Sequence, residues 1–146
     1  MIFGKEMEQT DGVTIHNILI VEDDPIVAFD NEHTLINGGY AVVGTVNSYA
    51  NGVDALDEGG VDLMIADIGL SGPRDGVELA RYAKQLGVAV LFVSGSCPLQ
   101  APELAVGCLS KPFMPRDLLL SIKAVEAVLS GRRTGRVPRD LNLFSK

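Results

Sequence analysis

Short apolar runs alternate along this chain with longer stretches in which apolar residues recur three and four positions apart. Ile18-Leu19-Ile20-Val21, residues 41–46, 61–66 and 88–93, and the brief Cys108-Leu109-Ser110 read as strands, most of them too continuously apolar to face water on either side. Between them the period lengthens to that of helices. Asp24 stands where it can cap a first helix, with Pro25 in its opening turn. Ile26, Phe29 and Ile36 are assigned to that helix's inner side, and Gly38-Gly39 stops it. Ser48 caps a second helix that reaches Glu58. A third, over about residues 75–86, places Val77, Ala80, Ala83 and Leu86 at helical spacing and ends at Gly87. Residues 98–106 form a poorer helix, interrupted by Pro98 and Pro102. The last, 115–130, carries Leu118, Ile122, Val125 and Leu129 on one face and further apolar residues, Leu119 and Leu120 among them, on others. That is more apolar surface than one contact with a sheet requires. A partner or dimer surface and a folded-back tail are both open as its explanation.

Five strand-then-helix units in succession predict an α/β fold with a doubly wound parallel sheet and right-handed crossovers. Residues 1–17 read as a flexible leader, 18–130 as the domain, and 131–146 as a basic tail. The chain of 146 residues has a formal net charge of -7, yet the tail holds Arg132, Arg133, Arg136, Arg139 and Lys146 against Asp140. The acidic body argues against nucleic-acid binding, which depends on neutralising phosphates. The tail reads as a solvated end. No apolar run approaches the length of a membrane helix, so no membrane is expected. The two cysteines, Cys97 and Cys108, have no metal-ligand spacing and suggest no disulfide framework, which points to a reduced, cytoplasmic setting.

The candidate chemistry lies where the strands end. Asp67 closes the third strand, Glu22 and Asp23 follow the first, Ser94 follows the fourth and Lys111 the fifth. In open parallel sheets that edge is where ligands bind. Taken singly, each residue fits a turn, a cap or a surface ion pair. Gathered at one edge, three carboxylates repel, by about 4 kcal/mol for two unit charges at about 4 Å and an effective dielectric near 20. A cation must offset this, and an all-oxygen donor set with no histidine suits Mg²⁺ rather than zinc. A carboxylate beside Mg²⁺ can attack phosphorus, with Lys111 and Ser94 steadying the phosphoryl oxygens.

These residues resemble the receiver domains of two-component response regulators. The resemblance is carried by Ile18 to Pro25 with its Glu22-Asp23-Asp24, by Asp67 after Asp62-Leu63-Met64-Ile65-Ala66, by Ser94, and by Lys111-Pro112-Phe113. It implies a flavodoxin-like (βα)5 fold with strand order 2-1-3-4-5. It also implies Asp67 as phosphoacceptor from a phosphohistidine on a sensor histidine kinase or histidine phosphotransfer protein. Asp23, Asp67, Glu22 and the Gly69 backbone carbonyl would hold Mg²⁺, Ser94 would be the switch hydroxyl, and Lys111 would bind the phosphoryl group. A cis bond is expected before Pro112.

The sequence departs from the family at Cys108, where an aromatic residue is usual. With no output domain expected after the receiver, the resemblance implies a stand-alone regulator. It would act through protein contacts or phosphorelay, with a homodimer through the helix 4 to helix 5 face as one form. Two competing readings are weighed. A haloacid-dehalogenase-type enzyme needs a second aspartate where Gly69 stands. A pseudo-receiver would be an interaction module indifferent to phosphate. His16 and His33 read as plain surface residues.

Overall fold

The computed structural model describes residues 12–68 and 75–144. Its sheet is built from β1 (Asn17–Val21), β2 (Ala41–Val46), β3 (Leu63–Asp67), β4 (Ala89–Ser94), β5 (Gly107–Ser110) and β6 (Leu141–Leu143), in the order β2-β1-β3-β4-β5-β6. The first five are parallel and reproduce the expected 2-1-3-4-5 order of a flavodoxin-like fold; β6 joins β5 antiparallel. The helices are α1 (Pro25–Asn37), α2 (Tyr49–Asp57), α3 (Gly76–Gln85), α4 (Ala101–Leu104) and α5 (Pro115–Leu129). Side chains of Asp24, Ser48 and Asp75 accept from the first free backbone N–H groups of α1, α2 and α3, as residues of these types do at an N-cap. With Pro98 and Pro102 in its segment, α4 is a single turn.

Alternation along the strands sorts the core into two layers. Leu19, Val21, Met64, Ala66, Phe92 and Cys108 face Leu56, Leu79, Ala80, Ala83 and Leu104 of α2, α3 and α4. Ile18, Ile20, Leu63, Ile65, Leu91, Val93 and Leu109 face Leu35, Leu118, Ile122 and Val125 of α1 and α5. Each Leu, Ile, Val, Met or Phe among them contributes about 1.5–3 kcal/mol by leaving water.

Four expectations need correction. On α1 the buried residues are Ala28, Asn31 and Leu35, whereas Ile26, Phe29 and Ile36 are 73%, 62% and 55% exposed on the opposite side. The helix therefore turns three large apolar residues to water and keeps Leu35 inside. The end of the leader is not loose: Ile15 is buried in the α1/α5 layer and its N–H donates to the Glu126 carboxylate. The tail is not a solvated end throughout, since Leu141–Leu143 pair with β5 and cover its edge.

The fourth correction concerns Cys97 and Cys108, which are joined in a disulfide. Counting sequence spacing missed it because the β4-to-β5 crossover is so short that it folds Cys97 back over β5. The Cα atoms come within 6.3 Å.

Candidate functional site

β1 and β3 lie side by side in the sheet centre, with Val21 opposite Ala66. Glu22 and Asp23, just past the end of β1, therefore meet Asp67, the last residue of β3. Ligand atoms of Glu22, Asp23 and Asp67 all lie within 4.8 Å of one another. Lys111, one residue past β5, reaches across with its Nζ 3.1 Å from Asp67 Oδ2 and 3.4 Å from Glu22 Oε1. The reach is set by the backbone, because the Lys111 N–H donates to the carbonyl of Ser94 at 2.8 Å. The peptide bond before Pro112 is cis, as the resemblance implies. Of the expected site residues, Glu22, Asp23, Asp67 and Lys111 are thus one cluster. Gly69 lies outside the described residues.

Ser94 ends β4 on the same edge and is buried, but its hydroxyl is engaged locally. Oγ donates to the Ser96 carbonyl at 2.9 Å and accepts from the Ser96 N–H at 3.1 Å. A cavity of about 470 Å³ opens beside Glu22 and Asp23 and is lined on its far side by Thr45, Asn47 and Asn51. These amides escaped the sequence reading. Asn47 follows directly on β2, whose Val46 carbonyl accepts from the Glu22 N–H, and the sequence carries no signal of that register.

Three carboxylates against one ammonium leave a formal charge of minus two at the cluster. Glu22, 3% exposed, bears the consequence. Burial is the largest influence and raises its pKa above the ordinary 4.5; the Asp24 N–H opposes this, Asp67's charge reinforces it, and Lys111 opposes it. For Lys111, burial alone would lower the pKa, but the bonds and charges of Asp67 and Glu22 outweigh it and the net shift is upward. An oxygen-only donor set this close, two negative charges in excess, fits a hard dication such as Mg²⁺.

A pH dependence follows for the metal-free protein. The folded state keeps the Glu22 proton longer than the unfolded chain does, so stability declines as pH rises through the interval between Glu22's ordinary and raised pKa. Glu22→Gln cannot ionise and is expected to flatten that decline. Urea midpoints measured with a chelator from about pH 4.5 to about pH 7 check it. Equal slopes for variant and wild type would dismiss Glu22 as the source.

The Glu22-Asp23-Asp67-Lys111 cluster, at the C-terminal edge of a 2-1-3-4-5 sheet, coincides with a family match. Residues 18–123 match the model of the response regulator receiver domain. The chain belongs to the receiver domain family.

Solved receivers share the fold. A CheY-like receiver domain protein from Methanospirillum hungatei JF-1 is 29% identical with a TM-score of 0.68, covering 75% of this chain and 92% of that one. A LuxR-family two-component response regulator from Aurantimonas sp. SI85-9A1 is also 29% identical at a TM-score of 0.68, covering 82% of this chain and 89% of that one.

Among curated proteins, the transcriptional regulatory proteins YbdJ and MalR of Bacillus subtilis (strain 168) are similar to this receiver. YbdJ is 34% identical over 114 residues, 74% of this chain and 49% of its own length. MalR is 33% identical over 105 residues, 66% of this chain and 44% of its own length. The chain spans about half the length of the curated relatives it matches. No helix among the described residues is long and apolar enough to cross a membrane.

On the expected dimer face, Leu119 lies elsewhere. A Cβ at Gly38 would come within 2.6 Å of Leu119 Cδ2, so this side chain packs toward α1 rather than α4.

Proposed function

We propose that this receiver accepts a phosphoryl group on Asp67 from a phosphohistidine of a sensor kinase or phosphotransfer protein. It then signals through protein contacts or passes the group on. The observation that carries the reading is the pairing of Lys111 with Asp67 at 3.1 Å inside a three-carboxylate cluster. An Asp67 oxygen would form the bond to phosphorus as the bond from phosphorus to the donor nitrogen breaks. Lys111 would move from the carboxylate to a phosphoryl oxygen as a point charge. Ser94, released from Ser96, would donate its hydroxyl to another. Glu22, Asp23, Asp67 and the Gly69 carbonyl would hold Mg²⁺, which when bound supplies positive charge to the phosphoryl oxygens.

Intact-mass spectrometry after incubation with a small phosphodonor tests this. A gain of one phosphoryl group with Mg²⁺ and none with chelator supports it, whereas no gain under either condition favours a phosphate-independent pseudo-receiver.

The partner would dock beside the cluster. Exposed Phe29, stacked on His33 at 5.7 Å, borders a groove of about 720 Å³ that Lys111, Phe113, Pro115 and Leu119 also line. An apolar helix face suits such a groove. Phe29→Ala, at an exposed position, should cost under about 0.5 kcal/mol of stability. It should slow transfer from a protein donor roughly ten-fold, as loss of an aromatic anchor does. Transfer from the small donor should stay unchanged, and parallel rate measurements with the two donors check it.

A further inference from the structure

We propose that the Cys97–Cys108 pair is a reversible redox site that sets the freedom of the β4–α4 loop and, through it, phosphorylation of Asp67; the second half of this rests on the phosphoacceptor reading. Cys108 is completely buried in β5, between Phe92 of β4 and Asn142 of β6. Cys97 is half-buried in the loop that follows Ser94. The bond closes a short covalent ring, of sequence separation 11, that holds all of α4.

Little else in the described structure ties this loop down. Its hydrogen bonds are Ala101 N–H to the Pro98 carbonyl, Glu103 N–H to the Gln100 carbonyl and the two between the Ser94 hydroxyl and the Ser96 backbone, with the Lys84 ammonium donating to the Glu103 carbonyl beyond it, and Leu99 at its tip is 98% exposed. The apolar anchors, Ala101, Leu104 and Ala105, lie beyond the tip.

The ring has a direct route to the site. Ser96 is adjacent to the pinned Cys97, and Ser96 is what holds the Ser94 hydroxyl through two hydrogen bonds. To reach a phosphoryl group on Asp67 that hydroxyl must turn about its own Cα–Cβ bond and leave Ser96, and a shift of the segment from Gly95 to Cys97 is what would weaken the two bonds that hold it. The disulfide resists the shift. The oxidised protein therefore favours the parked hydroxyl, and the reduced protein allows it to turn. By linkage, phosphorylation would in turn make the bond easier to reduce.

Reduction takes two electrons and two protons from a dithiol. Its thiolate attacks Cys97 Sγ, the more accessible sulfur; Cys108 leaves and is protonated. The second thiol then closes the reductant's own disulfide and releases Cys97 as a thiol.

The test uses the whole chain, air-oxidised or reduced with dithiothreitol, and a Cys97→Ala variant that leaves the buried Cys108 in place. Maleimide labelling should find no free thiol before reduction and two after it. Amide exchange across residues 95–106 should quicken more than about ten-fold on reduction, since a closed ring of this size constrains local opening. Cys97→Ala should match the reduced protein and ignore dithiothreitol.

With the small phosphodonor and Mg²⁺, phosphoryl occupancy should rise several-fold on reduction. Two free thiols before reduction, or equal exchange in both states, would overturn the redox site. Redox-dependent exchange with equal, non-zero occupancy would overturn its coupling to Asp67. Redox-dependent exchange with no phosphoryl group in either state would count against the phosphoacceptor reading and leave the redox site standing.

Discussion

Asp67→Asn is expected to take up no phosphoryl group under conditions that load the wild type fully. The amide keeps the shape of the carboxylate, but its oxygen is a poor nucleophile, and the position loses one of the three charges that would hold a dication. The variant should fold. Asp67 gives up its pair with Lys111, yet Lys111 keeps Glu22 at 3.4 Å. Meanwhile the repulsion between neighbouring carboxylates, about 4 kcal/mol per close pair at an effective dielectric near 20, is relieved. These effects oppose each other, so thermal stability without metal should stay within about 1 kcal/mol of wild type.

Intact mass reads the first expectation and a melting curve the second. Equal uptake by Asp67→Asn would move the acceptor to another residue. Loss of uptake together with loss of folding would leave the chemistry unassigned, which is why the melting curve belongs in the same experiment.

The cluster was legible in the sequence because each member ends a strand. In a parallel sheet, strand ends share one edge whatever the helices between them do, so Glu22, Asp23, Asp67, Ser94 and Lys111 could be gathered before any contact was known. Runs such as Leu63 to Ala66 needed only local pattern, and Asp24 and Ser48 needed only cap chemistry.

What stayed hidden depended on neighbours far along the chain. The inner face of α1 was misassigned because periodicity counts apolar residues without knowing which side meets the sheet. Here Asn31 is buried and Phe29 is not, and the exception falls at the groove proposed to receive a partner. The disulfide and β6 follow from how the crossover after β4 and the return after α5 fold back, which spacing alone does not encode. The register that brings Asn47 beside Glu22 was likewise a tertiary fact.

Gly76 was also hidden, and Gly76→Ala should damage both stability and phosphorylation. The first residue of α3 sits on the backbone that leaves Asp67, its N–H donating to the Ile68 carbonyl at 3.0 Å. A Cβ there would lie 2.3 Å from the Asp67 carbonyl oxygen and 2.9 Å from Ile68 Cα. No rotamer relieves a clash with main chain, so either α3 lifts or the end of β3 moves. Overpacking of this kind costs about 3 kcal/mol, the upper end of its usual range. For a chain of this size that lowers the melting temperature by roughly 10 °C.

The useful comparison is Gly52→Ala. There the Cβ would come within 2.4 Å of Leu79 Cδ2, 2.9 Å of Cδ1 and 3.2 Å of Cγ, so the buried Leu79 must repack, but the three nearest atoms all belong to that one side chain. The variant should lose about 1–3 kcal/mol, the usual cost of overpacking, and should keep its rate of phosphoryl uptake. Gly76→Ala should load slowly even well below its melting temperature, because displacing the Asp67 backbone takes the carboxylate away from Lys111. Melting curves and uptake rates on both variants separate the two effects. A Gly76→Ala protein that is destabilised but loads at the wild-type rate would show that β3 holds Asp67 in place without help from α3.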